Sequence, residues 1–411
     1  MRVLILFFVV LFAATAAEFG HYRMQIHLDP VSGGLRVDSE FAFPVKAGLA
    51  RVKFALNKGL HVTAASCGEC RSYSFETGQP ADVMYVHNAA PLEFVFQRPL
   101  PETKAVHFKV SYEGKVLPSG ENSMQADWVE LALYSAWFPV SPELGRYTYD
   151  LDVTVDPQYK LTGAGEIRMR DPGAYVIHQV ADTFDIVLMA APQLQTRDVG
   201  ESLRLDFVGL EPDEAARVAS ASATVMERLT EWFGPSNSKR LTVVFTPRER
   251  GGGYSRPGLV CYSRWTVGAE DRLLRGLAHE MGHLWWIGAP VETWEDWLNE
   301  GFAEYTSLMI VRDRLGETAF QKEIADLEKE AQGAPPVWGI SRSDGRAYTV
   351  LYQKGALILY RLERQMGKEA FARYLKDLAR DNPGSVNEAL DLLAKTSSPD
   401  ARASLERMLR E

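Results

Sequence analysis

In "AHEMGHLWW", His279 and His283 stand four residues apart with Glu280 between them. On a helix that spacing puts both imidazoles on one face, where two can hold one metal ion. Glu280 is set to reach a water beside that metal without ligating it, the place of a general base. A catalytic metal needs a third protein ligand, and "WEDWLNEGFAEY" offers Glu300 at the start of the next helical run. A His-His-Glu centre with an open fourth position lowers the pKa of water and directs it at a carbonyl. One turn beyond Glu300, Glu304 is placed to accept the distal N–H of a ligand histidine, and Asp296 could do the same. Each of these two acids reads equally as a solvated or capping residue.

Two further stretches bear on that chemistry. In "LYQKGALILY", Tyr352 opens a helical run and could aim its phenol at the oxyanion formed during hydrolysis, the competing use being core packing. In "RERGGGYSRPGLVCY", three glycines precede a run that otherwise reads as a strand. Without side chains at Gly252 and Gly253, an extended substrate can approach the edge and bond to main chain.

The elements that must position these residues follow from periodicity. Between about residues 20 and 208, runs such as "YRMQIHLDP", "AVHFKVSYEG" and "SLRLDFVGL" alternate apolar and polar positions between turn residues, the pattern of strands. Near residue 210 the period changes. "EPDEAARVASASATVMERLTEWFG" reads as a helix, "RLTVVFTP" and "GLVCYSRW" as short strands, and nearly everything after them as helices, including those carrying His279 and Glu300.

With 411 residues, 46% hydrophobic and 24% charged, the chain has material for two cores. Its formal charge is -9, with lysines and arginines dispersed, so no nucleic-acid footprint is visible. Residues 1–17, "MRVLILFFVVLFAATAA", read as a cleaved signal peptide that would export the chain to a periplasmic or extracellular space, and the mature chain shows no further apolar span. In that setting Cys67 and Cys70 could close a short disulfide loop, leaving Cys261 as a buried thiol.

Taken together, "HEMGHLWW", "WLNEGFAEY" and "YQKG" resemble the M1 family of gluzincin metallopeptidases, which includes the aminopeptidase N group and leukotriene A4 hydrolase. The likeness extends into the β half through "YSAWFPVSPELGRYTYDLDVTVDPQYKLTGAGE" and covers most of residues 20 to 390. It implies an α+β multi-domain fold: an N-terminal all-β saddle-like domain over 18–208, then a thermolysin-like mixed α/β, mostly helical zinc-peptidase domain over 209–411. It also implies one Zn2+ per chain on His279, His283 and Glu300, with Glu280 as general base, Tyr352 as oxyanion donor and a peptide as substrate.

The sequence departs from the family's pattern in three places. The spacing from His283 to Glu300 is shorter than is usual there, and the family's large C-terminal helical domain has no counterpart after "YQKG". Family aminopeptidases also carry a Gly-x-Met-Glu-Asn motif whose glutamate binds the peptide's free amine. Aligned on "GLVCY", its first positions fall on Gly252, Gly253 and Tyr254, and Ser255 stands where the glutamate should be. Glu130 falls where the family places a second amine-binding residue, and equally reads as a solvent-facing strand residue. Arg256 would repel an ammonium group and favour a carboxylate or carbonyl. Aminopeptidase, endopeptidase, epoxide or amide hydrolase, and inactive peptide-binding module all stay open.

Overall fold

The computed structural model describes residues 19–411 apart from 84, 121, 237 and 239, so the expected signal peptide lies outside the described residues. The chain divides into two compact units, Met1–Gln158 with Glu166–Leu188, and Tyr159–Gly165 with Met189–Glu411. This corrects the boundary expected at residue 208. Leu203–Phe207 pairs in parallel with Leu241–Thr246, and Gln195–Val199 pairs antiparallel on its other side, so both strands belong to the second unit's sheet. Alternation identifies a strand and is silent about which sheet it joins.

In the first unit the alternation becomes burial. The strand Gly20–Asp29 turns every second side chain inward, as a sheet with one covered face requires. It sits inside a seven-stranded sheet, parallel to Tyr147–Thr154 on one side and antiparallel to Gly34–Val45 on the other. A three-stranded sheet of Arg51–Asn57, Ala89–Phe96 and Cys70–Phe75 faces it. Aromatic rings fill the space between the sheets. Phe41 and Phe108 of the larger sheet stack at 5.3 Å, and Phe108 meets Phe54 and Phe94 of the smaller one edge-on at 5.4 and 5.0 Å. A disulfide joins Cys67 to Cys70 where one strand ends and the next begins.

The second unit is built on a five-stranded sheet in the order Gln195–Val199, Leu203–Phe207, Leu241–Thr246, Leu259–Ser263, Tyr254–Arg256. The three inner strands are parallel and the two edges antiparallel; Leu241–Thr246 and Leu259–Ser263 carry apolar runs, while Leu203–Phe207 alternates its apolar residues with Arg204 and Asp206. The segment Tyr159–Gly165 contributes Thr162, whose hydroxyl donates to the fully buried carboxylate of Asp206 at 2.6 Å. Thr196 and Arg204 complete that carboxylate's partners at 2.7 and 2.8 Å.

Helices α1 (Pro212–Phe233), α2 (Glu270–Gly282), α3 (Trp297–Leu315), α4 (Glu317–Glu330), α5 (Gly355–Met366), α6 (Lys368–Asp381) and α7 (Val386–Thr396) fall where periodicity places them. The eighth, α8 (Pro399–Arg410), is additional to the sequence reading, with Ser398 capping its first turn through Ala401 N–H. α1 starts at a proline behind a capping box in which Glu214 accepts Glu211 N–H. Among the described residues no helix is long and apolar enough to cross a membrane.

Candidate metal centre

Helix α2 carries Glu270 and Asp271 in its first turn, where carboxylates suit the positive helix end. One face of α2 holds Leu273, Leu277, Ala278 and Met281 in the core, and the other delivers His279 and, at the helix end, His283. Their rings lie 5.2 Å apart and nearly perpendicular. From the start of α3, Glu300 Oε2 comes within 3.3 Å of His279 Nε2 and 3.4 Å of His283 Nε2. A ligand atom from each residue falls within 4.8 Å of the other two.

The far nitrogens of both rings are spoken for. His279 Nδ1 is 3.0 Å from Glu304 Oε2, and His283 Nδ1 is 3.1 Å from the Trp286 carbonyl. With protons held at Nδ1, each Nε2 turns a lone pair toward Glu300, whose Oε2 is buried and has no hydrogen-bond donor. Three electron-pair donors converging on one buried point fit a divalent cation with nitrogen and oxygen ligands, zinc foremost.

Electrostatics around the cluster follow from burial and proximity. Burial opposes charge on His279, but Glu300 and Glu304 outweigh it and raise its pKa. Burial also opposes ionisation of Glu304, and His279 with Arg275 overcomes that and lowers it. Glu280 is buried beside the ligands, and burial raises its pKa against the pull of the two imidazoles and of Arg256. A carboxyl so raised is a better proton acceptor than a solvated one.

Tyr352 lies in a wider π turn, Thr349–Lys354, immediately before α5. Its ring stacks parallel on His279 at 5.8 Å and against Tyr348 at 4.5 Å. Burial, then the charge of Glu300, pushes its phenol far above the ordinary range, so it keeps its proton and remains a donor. The glycine of "YQKG" explains the approach. Gly355 and Gly301 face each other so closely that a Cβ on Gly301 would sit 3.0 Å from the Leu351 carbonyl and 3.4 Å from Gly355 Cα. The two backbones meet beside Glu300 and Tyr352 because neither carries a side chain there.

Asp296 is placed differently from the expectation of an imidazole partner. Its carboxylate pairs with Arg342 at 2.9 Å and accepts Asn299 Nδ2 at 2.8 Å, while Asn299 also bonds both main-chain groups of Ala289. Both distal imidazole nitrogens are already used, so Asp296 braces the loop between the ligand helices instead. Arg275, Arg342 and the Trp286 carbonyl are functional neighbours that the sequence reading missed. Arg275, four residues before His279 on the same helical face, bridges Glu304 and Glu323, and only that spacing hinted at it. With Glu304, Tyr348 and Gln353, Arg275 lines a cavity of about 590 Å3 beside the centre.

Gly253 and Ser255 flank Tyr254 on the edge of the five-stranded sheet, where Ser255 pairs with Val260. Gly252 has no atom within 4 Å of where a side chain would stand, whereas Gly253 lies against Glu280. Tyr254 is buried, with the Arg256 guanidinium 5.0 Å and that of Arg248 6.0 Å from its ring centre. Glu130 belongs to the first unit, where it is completely buried and accepts Trp128 Nε1–H at 3.1 Å, which removes its solvent-facing alternative. Cys261 is a buried free thiol.

Residues 259–410 match the Peptidase family M1 domain. A probable M1 family aminopeptidase 2 from Encephalitozoon cuniculi is 24% identical over 196 residues, covering 39% of this chain and 23% of that protein. Aminopeptidase M1-B from Oryza sativa subsp. japonica is 30% identical over 169 residues, covering 35% of this chain and 19% of its own length. The chain thus spans less than a quarter of either relative. Among solved structures, an M1 zinc metallopeptidase from Deinococcus radiodurans superposes with a TM-score of 0.70 at 20% identity, covering 96% of this chain and 95% of that one. Native leukotriene A4 hydrolase from Saccharomyces cerevisiae gives 0.70 at 15% identity, covering 95% and 67%. At these identities the likeness is one of fold.

Proposed function

For a chain that belongs to the M1 family of gluzincin metallopeptidases, we propose zinc-dependent hydrolysis of peptide bonds, aminopeptidase-like but without the usual glutamate that anchors the substrate's amine. One observation carries the reading: a buried, donorless Glu300 oxygen between two imidazole nitrogens whose protons are held on their far sides. His279, His283 and Glu300 would hold the zinc. When bound there, zinc supplies Lewis acidity that lowers the pKa of water and polarises the scissile carbonyl.

The chain's own groups do the rest. Glu280 takes a proton from the attacking water and hands it to the leaving amine. Tyr352, kept protonated by burial, donates its O–H to the oxyanion, where a donor is worth most because charge develops there. Glu304 holds the His279 ring and tautomer through Nδ1. The open edge at Gly252 offers main-chain groups to an extended substrate. With Ser255 neutral and Arg256 cationic, that edge favours the substrate's carbonyls over its ammonium, so end recognition is relaxed. Among M1 relatives of known structure, one from Deinococcus radiodurans has been seen with a Tyr-Ser-Ala substrate, which supports short peptides as ligands. The reading of residues 1–17 as a signal peptide supports a reaction outside the cytoplasm.

The test joins metal analysis to cleavage-site profiling on a peptide library, for the wild type and Glu280→Gln. The proposal expects one zinc per chain in both, and turnover in the wild type alone. Cleavage only of blocked, internal sequences would replace the aminopeptidase-like reading with an endopeptidase. Zinc bound with no turnover of any peptide would leave a binding module.

A further inference from the structure

Tyr352 sits in a π turn, wider and less common than an α turn, and such a turn needs holding in place. On its far side Gly355 meets Gly301, the residue after Glu300. Lys354, the last residue of the turn, donates to the Ala334 and Pro335 carbonyls at 3.2 and 2.9 Å. That ties the turn back to the segment between α4 and Tyr348. The same segment grips the loop between His283 and Glu300. Arg342 pairs with Asp296 at 2.9 Å and donates to the Val291 carbonyl at 3.2 Å, and Trp338 packs on Trp294 with ring centres 4.7 Å apart. Asn299 stiffens that loop from within by bonding Asp296 and both main-chain groups of Ala289. A continuous path of contacts therefore runs from the start of α3, which carries Glu300, through Asp296 and Arg342 to the turn that carries Tyr352.

The ion pair is the unusual link in this path. Asp296 is fully buried and the Arg342 side chain is 10% exposed, and a pair so enclosed adds little stability that apolar packing could not supply. Trp338 on Trp294 already supplies such packing between the same two segments. What Arg342 adds is direction: its planar guanidinium aims Nη2 at Asp296 and Nε at the Val291 carbonyl, which fixes orientation as well as distance. We propose that Arg342 is a positioning residue that, through Asp296, fixes where the Tyr352 phenol stands relative to Glu300. The proposal rests on the reading of Tyr352 as oxyanion donor. A misplacement of about 1 Å there costs up to about 10²-fold in rate.

The test compares Arg342→Met, the same change joined to Asp296→Asn, and Arg342→Met in a Tyr352→Phe background, with Tm, zinc content, kcat and KM measured for each. Arg342→Met alone should lower Tm by about 5 °C or more, because it strands a buried carboxylate, and adding Asp296→Asn should restore at least half of that loss. Zinc content should be unchanged and KM stay within about threefold, while kcat falls by about 10-fold or more and stays low in the pair variant whose Tm is restored. In Tyr352→Phe the same Arg342→Met change should lower kcat by less than about threefold, since the group it positions is gone. A kcat that recovers together with Tm would make the pair a structural brace and overturn the proposal, as would an equal loss of kcat in both backgrounds. Should the wild type cleave no peptide, the peptidase reading fails by itself. The same cycle is then run on affinity for an amino-acid hydroxamate, a chelating probe with an anionic oxygen to which Tyr352 can donate. Losses of affinity that fail to add between Arg342→Met and Tyr352→Phe support the proposal, and additive losses overturn it.

Discussion

In the first unit Lys109 and Glu40 pair where 67% and 60% of their side chains are exposed, while Phe41, Phe54, Phe94 and Phe108 fill the interior. In the second unit the arrangement reverses around one point. Glu280, Glu300, Glu304, His279, His283 and Arg275 are folded in behind helices whose inward faces are otherwise mostly apolar. Their mutual attraction keeps most of these groups charged, yet apolar residues of similar volume would hold the fold as well or better. A scaffold that needed only stability would resemble the first unit, so the charge cluster marks where chemistry was selected over stability.

That contrast can be broken by experiment. The largest effect is expected for Glu280→Gln, a loss of about 10³- to 10⁴-fold in kcat with Tm unchanged or higher, since the substitution removes a buried carboxylate and keeps its shape. A lower Tm with activity intact would place Glu280 with the structural residues. Phe108→Ala should cost about 3–5 kcal/mol of stability, measured by denaturant unfolding, because it removes a ring that meets Phe41, Phe54 and Phe94. Tyr352→Phe should lower kcat by about 10²-fold with KM little changed, and an effect confined to Tm would assign the tyrosine to packing. Glu304→Gln should weaken zinc binding by about 10- to 100-fold in a competition titration with a chelator. Smallest of all, Lys109→Ala should move Tm by less than about 2 °C, as exposed pairs do.

The second unit was the more legible in chemistry and the less legible in extent. His279, Glu280, His283, Glu300 and Glu304 could be read from spacing because helical neighbours repeat every three or four residues. Asp296 could not, because its partner Arg342 lies 46 residues away in a loop and no period links them. Gly253 was read as an opening for substrate, since a sequence shows that a side chain is missing but not which neighbour lies beside it. α8 escaped notice because it is polar on most faces. The boundary moved from 208 to 188 because parallel strand pairing joins residues far apart in sequence.

The excursion of Tyr159–Gly165 into the second unit constrains how this protein can be inherited and handled. A gene trimmed to begin at residue 189 would encode His279, His283 and Glu300 and still lack Thr162, leaving the Asp206 carboxylate short of a hydroxyl donor in a sealed interior. The second unit is therefore not a cassette that recombination can move with one cut. During synthesis, its first piece leaves the ribosome before the first unit has finished emerging, and must wait for the strands it will join.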